Sequence, residues 1–410
     1  MTELIAQEVR TADPVLRTRE GRSARELWDL DPAFRHLNHG SFGAVPRAVL
    51  DHQAASREAM ETNPVRWFST LADRLVGVRR DMAARLGVGA SDLVMVTNAS
   101  AGASVVYRAV VQRGRPVHAL VTDHGYGAVT MGAERAARES GGSLAVLPIP
   151  LSASDDEVLT LLTQHLREHR TDLLVIDQVT SATARRLPAA EAARLAHEHG
   201  ALVLVDGAHA PGALPDPVIR EADAWIGNLH KFWCAPRGTA VLVRGTEALD
   251  LFPLVDSWGG RAGYPERFDH QGTADVTAWF SAGHAYDHLE AELGWERIRG
   301  HAEAMMRRAE EEIGQALRDV GVEEPVADVG TGFGPMRLLR LPGAARWDHD
   351  AVDALRVPFM EATGCIGAFT EFHGEGFLRI SAAPYTTAED LSVMADRGVP
   401  LLAEVAARRG

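Results

Sequence analysis

Between residues 93 and 244 the chain repeats one alternation that few folds can satisfy. Short apolar runs, LVMVT (93–97), VHALVTD (117–123), LAVLPI (144–149), DLLVID (172–177) and ALVLVD (201–206), are separated by stretches of helical periodicity such as ASVVYRAVVQRG and AAEAARLAHEHG. AWIGN (224–228) and GTAVLVR (238–244) extend the series. Apolar runs without polar alternation belong to strands buried on both faces, and the helices between them supply the crossovers that parallel strands require. The pattern predicts an α/β architecture: a mainly parallel seven-stranded sheet covered by helices.

The rest of the chain is organised around that sheet. Helical periodicity fills residues 47–86, and LNHGSFGAVP, Leu37 to Pro46, reads as an ordered turn entering it, because proline suits a first helical turn. A second helical stretch is expected from about 275 to 320. MRLLRL (336–341), a helix near 349–362 and FLRISAAPY (377–385) then predict a smaller α+β domain. The expected division is an N-terminal arm and entrance segment over 1–45, a large domain over 46–285 and a small C-terminal domain over 286–410. A chain of 410 residues is too long for one ordinary core.

Charge and composition narrow the partners. A formal charge of −14 opposes nucleic acid and anionic membrane surfaces, so neither is expected. The two cysteines, Cys234 and Cys365, make no disulfide framework and no paired zinc or redox spacing, and no metal is expected. No apolar run approaches the roughly 18 to 20 residues of a membrane span, and the opening MTELIAQEVRTADPVLRTREGR lacks an apolar signal core. A cytoplasmic location is the expectation.

Chemistry concentrates at two residues. Asp206 ends a buried run, which puts its carboxylate at the carboxyl edge of the sheet, where open α/β sheets bind ligands. Lys231 sits on a polar, Gly-flanked turn between the next two predicted strands. An amine there can form an imine with an aldehyde, and a carboxylate in the same crevice can hold a protonated pyridine nitrogen. That pair suits pyridoxal 5′-phosphate (PLP).

The words LNHGSFGAVP, VTNAS, DHGYGA, DQVTSATA, VDGAHAPG, GNLHKFWCAPRG, SWGG, the Gly272–Thr273 pair and LRISAAPY follow one another over most of the chain. Together they resemble class V aminotransferases of fold type I, and within them the isopenicillin N epimerase-like branch. That branch is also similar to cysteine-conjugate C–S lyases and to PLP enzymes of lincosamide antibiotic assembly. The resemblance implies PLP carried by Lys231 as a Schiff base, with Asp206 at the ring nitrogen and Tyr126, rather than His124, stacked on the ring. It implies a phosphate held by Ala99 and Ser100, which agrees with the anion affinity of a helix amino terminus. Ser181 or Thr183 would bond the phenolic oxygen, and His209 either faces that oxygen or is structural. Asn228 and His230 flank the lysine, with His230 at the phosphate. Thr273 would reach the phosphate of a neighbouring subunit, making a homodimer with shared active sites, although Ala274 stands where many relatives carry arginine. Arg379 would clamp the substrate carboxylate, a task its guanidinium geometry fits. His39, Ser41 and Phe42 would line the substrate entrance.

The implied partner is a small-molecule amino-acid substrate, activated at Cα with Lys231 as general base. Carbon–sulfur β-elimination from an S-substituted cysteine, in secondary metabolism, is the leading expectation. It draws on the branch's lyases and on an aromatic wall of Trp67, Phe68 and Trp258 with room for a bulky S-substituent. Epimerisation follows it, and decarboxylative oxidative deamination and transamination stay open. A catalytically silent PLP-fold scaffold is the reading of another class, opposed by the intact Asp206 and Lys231.

Overall fold

A computed structural model describes residues 15–343 and 347–409; residues 1–14 of the expected N-terminal arm lie outside them. The chain divides into two units. The larger comprises Ala48–Ser181 and Arg186–His288, and the other takes in the described residues up to Arg47, Ala182–Arg185 and those from Leu289 onward.

All seven expected strands form in the larger unit: β1 (Leu93–Val96), β2 (His118–Thr122), β3 (Ser143–Leu147), β4 (Leu173–Asp177), β5 (Leu202–Asp206), β6 (Ala224–Asn228) and β7 (Ala240–Arg244). Their order is β1-β7-β6-β5-β4-β2-β3. The pairs from β3 through β2, β4 and β5 to β6 are parallel, and β7 lies antiparallel to both β6 and β1. Every residue of β1, β4 and β6 is buried, so both faces of the sheet are covered, as the unbroken apolar runs required. Each wholly buried Val, Leu or Ile there contributes on the order of 1.5–3 kcal/mol.

The helical stretch over 47–86 is three helices, Arg47–Thr62, Pro64–Ser69 and Leu71–Leu86. Pro64 cannot donate a backbone bond, and Asn63 caps the new helix by accepting from the Arg66 amide at 3.0 Å. The stretch over 275–320 is likewise divided into Thr277–Glu292 and Trp295–Asp319, because Gly294 takes a φ of 83°.

The smaller unit contains an antiparallel sheet of β8 (Met336–Arg340), β9 (Ala368–Phe372) and β10 (Glu375–Ser381), in the order β9-β10-β8. Strand β9 was not foreseen. Its hairpin with β10 turns on His373 and Gly374, both at positive φ (50° and 82°), the two-residue geometry that matches strand twist. Arg35–His36 pairs in parallel with Cys365–Ile366, and Leu37 is buried in a core with Met305, Trp347, Phe359 and Phe369. The LNHGSFG segment is thereby anchored in this unit. No helix among the described residues is long and apolar enough to cross a membrane.

Candidate functional site

Strands β4 and β5 each end in an aspartate, and the two are register partners: Asp177 lies opposite Asp206. Both are buried, at 3% and 2% exposure, so two carboxyls share one dry strand edge. Burial pushes Asp206 upward, opposed by the Ala208 amide, which donates to its Oδ1 at 2.9 Å, and by the charge of Lys231. Asp177 is driven well above the usual carboxylate range by burial and by the Asp206 charge. Sequence reading found Asp206 and missed Asp177. The signal was present in the paired endings LLVID and LVLVD.

Lys231 stands on the turn after β6, its Nζ 3.1 Å from Nε2 of buried His209. The turn is pinned by backbone bonds Leu229 N to Thr239 O, Ala235 N to Leu229 O and Cys234 N to Lys231 O. The His209 segment passes so close that a Cβ at Gly212 would fall 2.4 Å from the Phe232 carbonyl oxygen. Lys231 is also the only lysine in the sequence. Beside it, burial and then the Lys231 charge lower His230 to about 4, so its ring is neutral at pH 7. Buried His230 Nδ1 has no hydrogen-bond partner among the described residues.

The helix Ala99–Val111 starts at the neighbouring edge. Asn98 caps it by accepting from the Ala101 amide at 2.8 Å, and Asn228 at the end of β6 accepts from the Ala99 amide at 2.9 Å. Ala99 was expected to donate to a phosphate; its amide is engaged by Asn228, which orients the helix terminus. The next residue, Ser100, brings the remaining first-turn amide and a hydroxyl.

Tyr126 is exposed (47%) on the turn after β2, whereas His124 is buried with Nε2 3.0 Å from the Ile149 carbonyl oxygen. Tyr126 is thus the ring open to a ligand. Ser181 is half-buried and belongs to the larger unit, while buried Thr183 belongs to the smaller one. Thr273 is exposed beside Gly272, whose φ is 91°. The aromatic wall is not built as expected. Trp67 is core, edge-on to Phe280 at 5.7 Å, Phe68 is half-buried and Trp258 projects at 82% exposure.

In the smaller unit β10 carries Arg379, buried to 2% exposure. Its Nη2 donates to Asn38 Oδ1 at 3.0 Å and to Ser41 Oγ at 2.7 Å, while Ser41 Oγ donates to Asn38 Oδ1. Burial and then the Arg356 charge depress Arg379 to about 10, which leaves it cationic at neutral pH. His39 is buried with Nδ1 2.8 Å from the Tyr385 hydroxyl, and Phe42 projects at 72% exposure. Asn38 was not foreseen as a partner of Arg379.

The donor set of the larger unit suits PLP. It offers an amine for the aldehyde, a buried carboxyl for the ring nitrogen, a helix terminus and an unpartnered His230 nitrogen for the phosphate, and an exposed aromatic ring. Among the described residues no cluster of His, Cys, Asp and Glu could hold a metal ion.

Comparison with known proteins adds to this geometry. The sequence profile of the class V aminotransferases matches residues 43–328. The isopenicillin N epimerase of Streptomyces clavuligerus is 30% identical over 393 residues, 91% of this chain and 96% of that protein. The hercynylcysteine sulfoxide lyase of Schizosaccharomyces pombe is 21% identical over 92% of this chain and 96% of its own length. The apo structure of a cysteine desulfurase from Thermococcus onnurineus NA1 superposes with a TM-score of 0.73 at 17% identity, covering 93% of this chain and 97% of that one, which shows the shared fold.

Proposed function

Because the chain belongs to the class V aminotransferases, a PLP-dependent family of fold type I, we propose that it activates an amino acid at Cα and expels a thiolate from Cβ, as a C–S lyase of S-substituted cysteines. The observation that carries the reading is the sole lysine of the sequence, 3.1 Å from His209 and with its charge acting on the buried Asp206.

Bound at Lys231, PLP supplies an electron sink for the charge that develops at Cα. The Lys231 amine removes the Cα proton, and His209 shares that proton, which keeps the amine competent as a base. Asp206 holds a proton at the ring nitrogen. Ser100 and His230 bind the phosphate, Asn228 fixes the helix end that presents Ser100, and Tyr126 packs on the ring, with Ser181 or Thr183 at the phenolic oxygen. Arg379, whose Nη2 bonds the neutral Asn38 and Ser41, takes the substrate carboxylate, because a buried guanidinium gains from an incoming anion. Elimination then breaks the Cβ–S bond, the electron pair leaving with sulfur. An S-substituted cysteine plus water gives a thiol, pyruvate and ammonia. Elimination needs one base on one face, which Lys231 provides. In the same reading Thr273 completes the phosphate site of a second copy in a homodimer.

The test uses purified PLP-loaded protein and S-alkyl-cysteines. Thiol and pyruvate should appear together, and borohydride reduction should tag one peptide, that of Lys231. Lys231→Ala should keep the fold and lose at least about 10³-fold in rate; pyruvate release by that variant would sink the assignment. Epimerisation is the second reading, favoured by 30% identity to the epimerase against 21% to the sulfoxide lyase, both over nearly the whole chain. Exchange of the Cα proton for deuterium with no thiol released would decide for it.

A further inference from the structure

The mechanism leaves one buried acid of the cofactor edge unused. Asp177 is the register partner of Asp206 on the adjacent parallel strand, so their side chains emerge on the same side of the sheet edge. Asp177 also accepts the backbone amide of Tyr126. The turn carrying Tyr126 is folded tightly against it. A Cβ at Gly125 would lie 3.0 Å from the Thr122 carbonyl oxygen, 2.9 Å from Thr130 Oγ1 and 3.7 Å from Asp177 Oδ2. Of the turn's own titratable groups, Asp123 accepts from the Ile149 amide at 3.1 Å, and His124 Nε2 meets the Ile149 carbonyl.

We propose that Asp177 is a positioning residue of the cofactor centre, which keeps its proton in the folded protein and fixes the Tyr126 turn, leaving the single negative charge of the pair on Asp206. Two carboxyls at one buried edge cannot both ionise without great cost. The charged groups facing Asp177 decide which one does. The Lys231 charge favours ionisation of both, and each accepts a backbone amide, Asp206 from Ala208 and Asp177 from Tyr126, but only Asp177 is raised further by the charge of its partner Asp206. Tyr107, on the helix Ala99–Val111, donates its hydroxyl to the Val129 carbonyl at 2.9 Å and is kept neutral by burial and then by the Asp206 charge. A neutral Asp177 still accepts from Tyr126 through its carbonyl oxygen. The ionised Asp206 is what a protonated ring nitrogen requires, so this part of the proposal rests on the cofactor reading above.

The proton is tested on the full-length apoprotein, with no cofactor. An acid that stays protonated in the fold but ionises at about 3.9 in the unfolded chain is taken up with a proton on folding, so stability falls as pH rises from about 4 toward the folded pKa. Asn cannot ionise. The melting temperature of Asp177→Asn relative to the parent should therefore be least favourable at or below about pH 4 and rise above the parent's by a widening margin toward pH 8. A difference that is constant with pH, or that favours the parent at pH 8, overturns the proton assignment. The positioning role is tested by PLP titration. Asp177→Asn should bind within about threefold of the parent, and Asp177→Leu, which cannot accept from Tyr126, should bind at least about tenfold more weakly, a change of about 1.4 kcal/mol. Equal loss in both variants overturns that role. A parent that binds no PLP overturns it together with the cofactor reading, while the apoprotein profile still decides the proton.

Discussion

Two arginines are buried to nearly the same depth, Arg79 in the larger unit and Arg379 in the smaller, at 3% and 2% exposure. Their surroundings differ in kind. Arg79 Nη2 meets Asp269 Oδ2 at 2.8 Å and Glu266 Oε1 at 3.3 Å, and its Nη1 donates to the Ala90 carbonyl at 2.9 Å. Against the cost of burial, these carboxylates hold it above its ordinary pKa. Arg379 is held by an amide and a hydroxyl, and burial depresses it. The first guanidinium is neutralised by the protein itself. Nη2 of the second bonds the neutral Asn38 and Ser41, which is compatible with the role at a substrate carboxylate proposed above.

That contrast can be broken at several points. Asp269→Ala leaves the Arg79 charge to the more exposed Glu266 alone and should lower the unfolding free energy by up to about 3–5 kcal/mol, read from urea midpoints, with KM little changed in the protein that remains folded. Arg379→Gln should do the reverse. It removes a charge that burial disfavours, so stability should fall far less than for Asp269→Ala, while the KM for a carboxylate substrate increases by about 10²-fold, equivalent to about 3 kcal/mol. Loss of stability without a KM effect would make Arg379 as structural as Arg79. The smallest effect belongs to Asn38→Ala, which takes one acceptor from Arg379 and should cost about 1–2 kcal/mol of stability with a several-fold rise in KM. A KM equal to the parent's would show that Asn38 supports the fold alone.

The two regions also differed in how much could be read in advance. At the sheet edge, the position of Asp206 was legible because a buried strand has a fixed polarity: the residue that ends an apolar run emerges at a known edge. Asp177 follows the same rule and was passed over in favour of the nearby hydroxyls of Ser181 and Thr183. Around Arg379, no local pattern announces that its acceptors come from Asn38 and Ser41, hundreds of positions earlier. Trp67 carries the opposite lesson. Its placement as a wall of a pocket gave way to core packing against Phe280, since burial of a large aromatic depends on what else reaches it.

By itself the sequence determined the seven strands, their mainly parallel arrangement and the place of Asp206 at the end of a buried strand, because apolar period and strand polarity are properties of contiguous residues. Tertiary structure alone decided where the helices broke in three dimensions, that Asn228 takes the Ala99 amide, that two aspartates share one dry edge, and that an arginine near one end of the chain rests on an asparagine near the other. Those outcomes depend on desolvation and on contacts distant in sequence, and neither is written in any local run of residues.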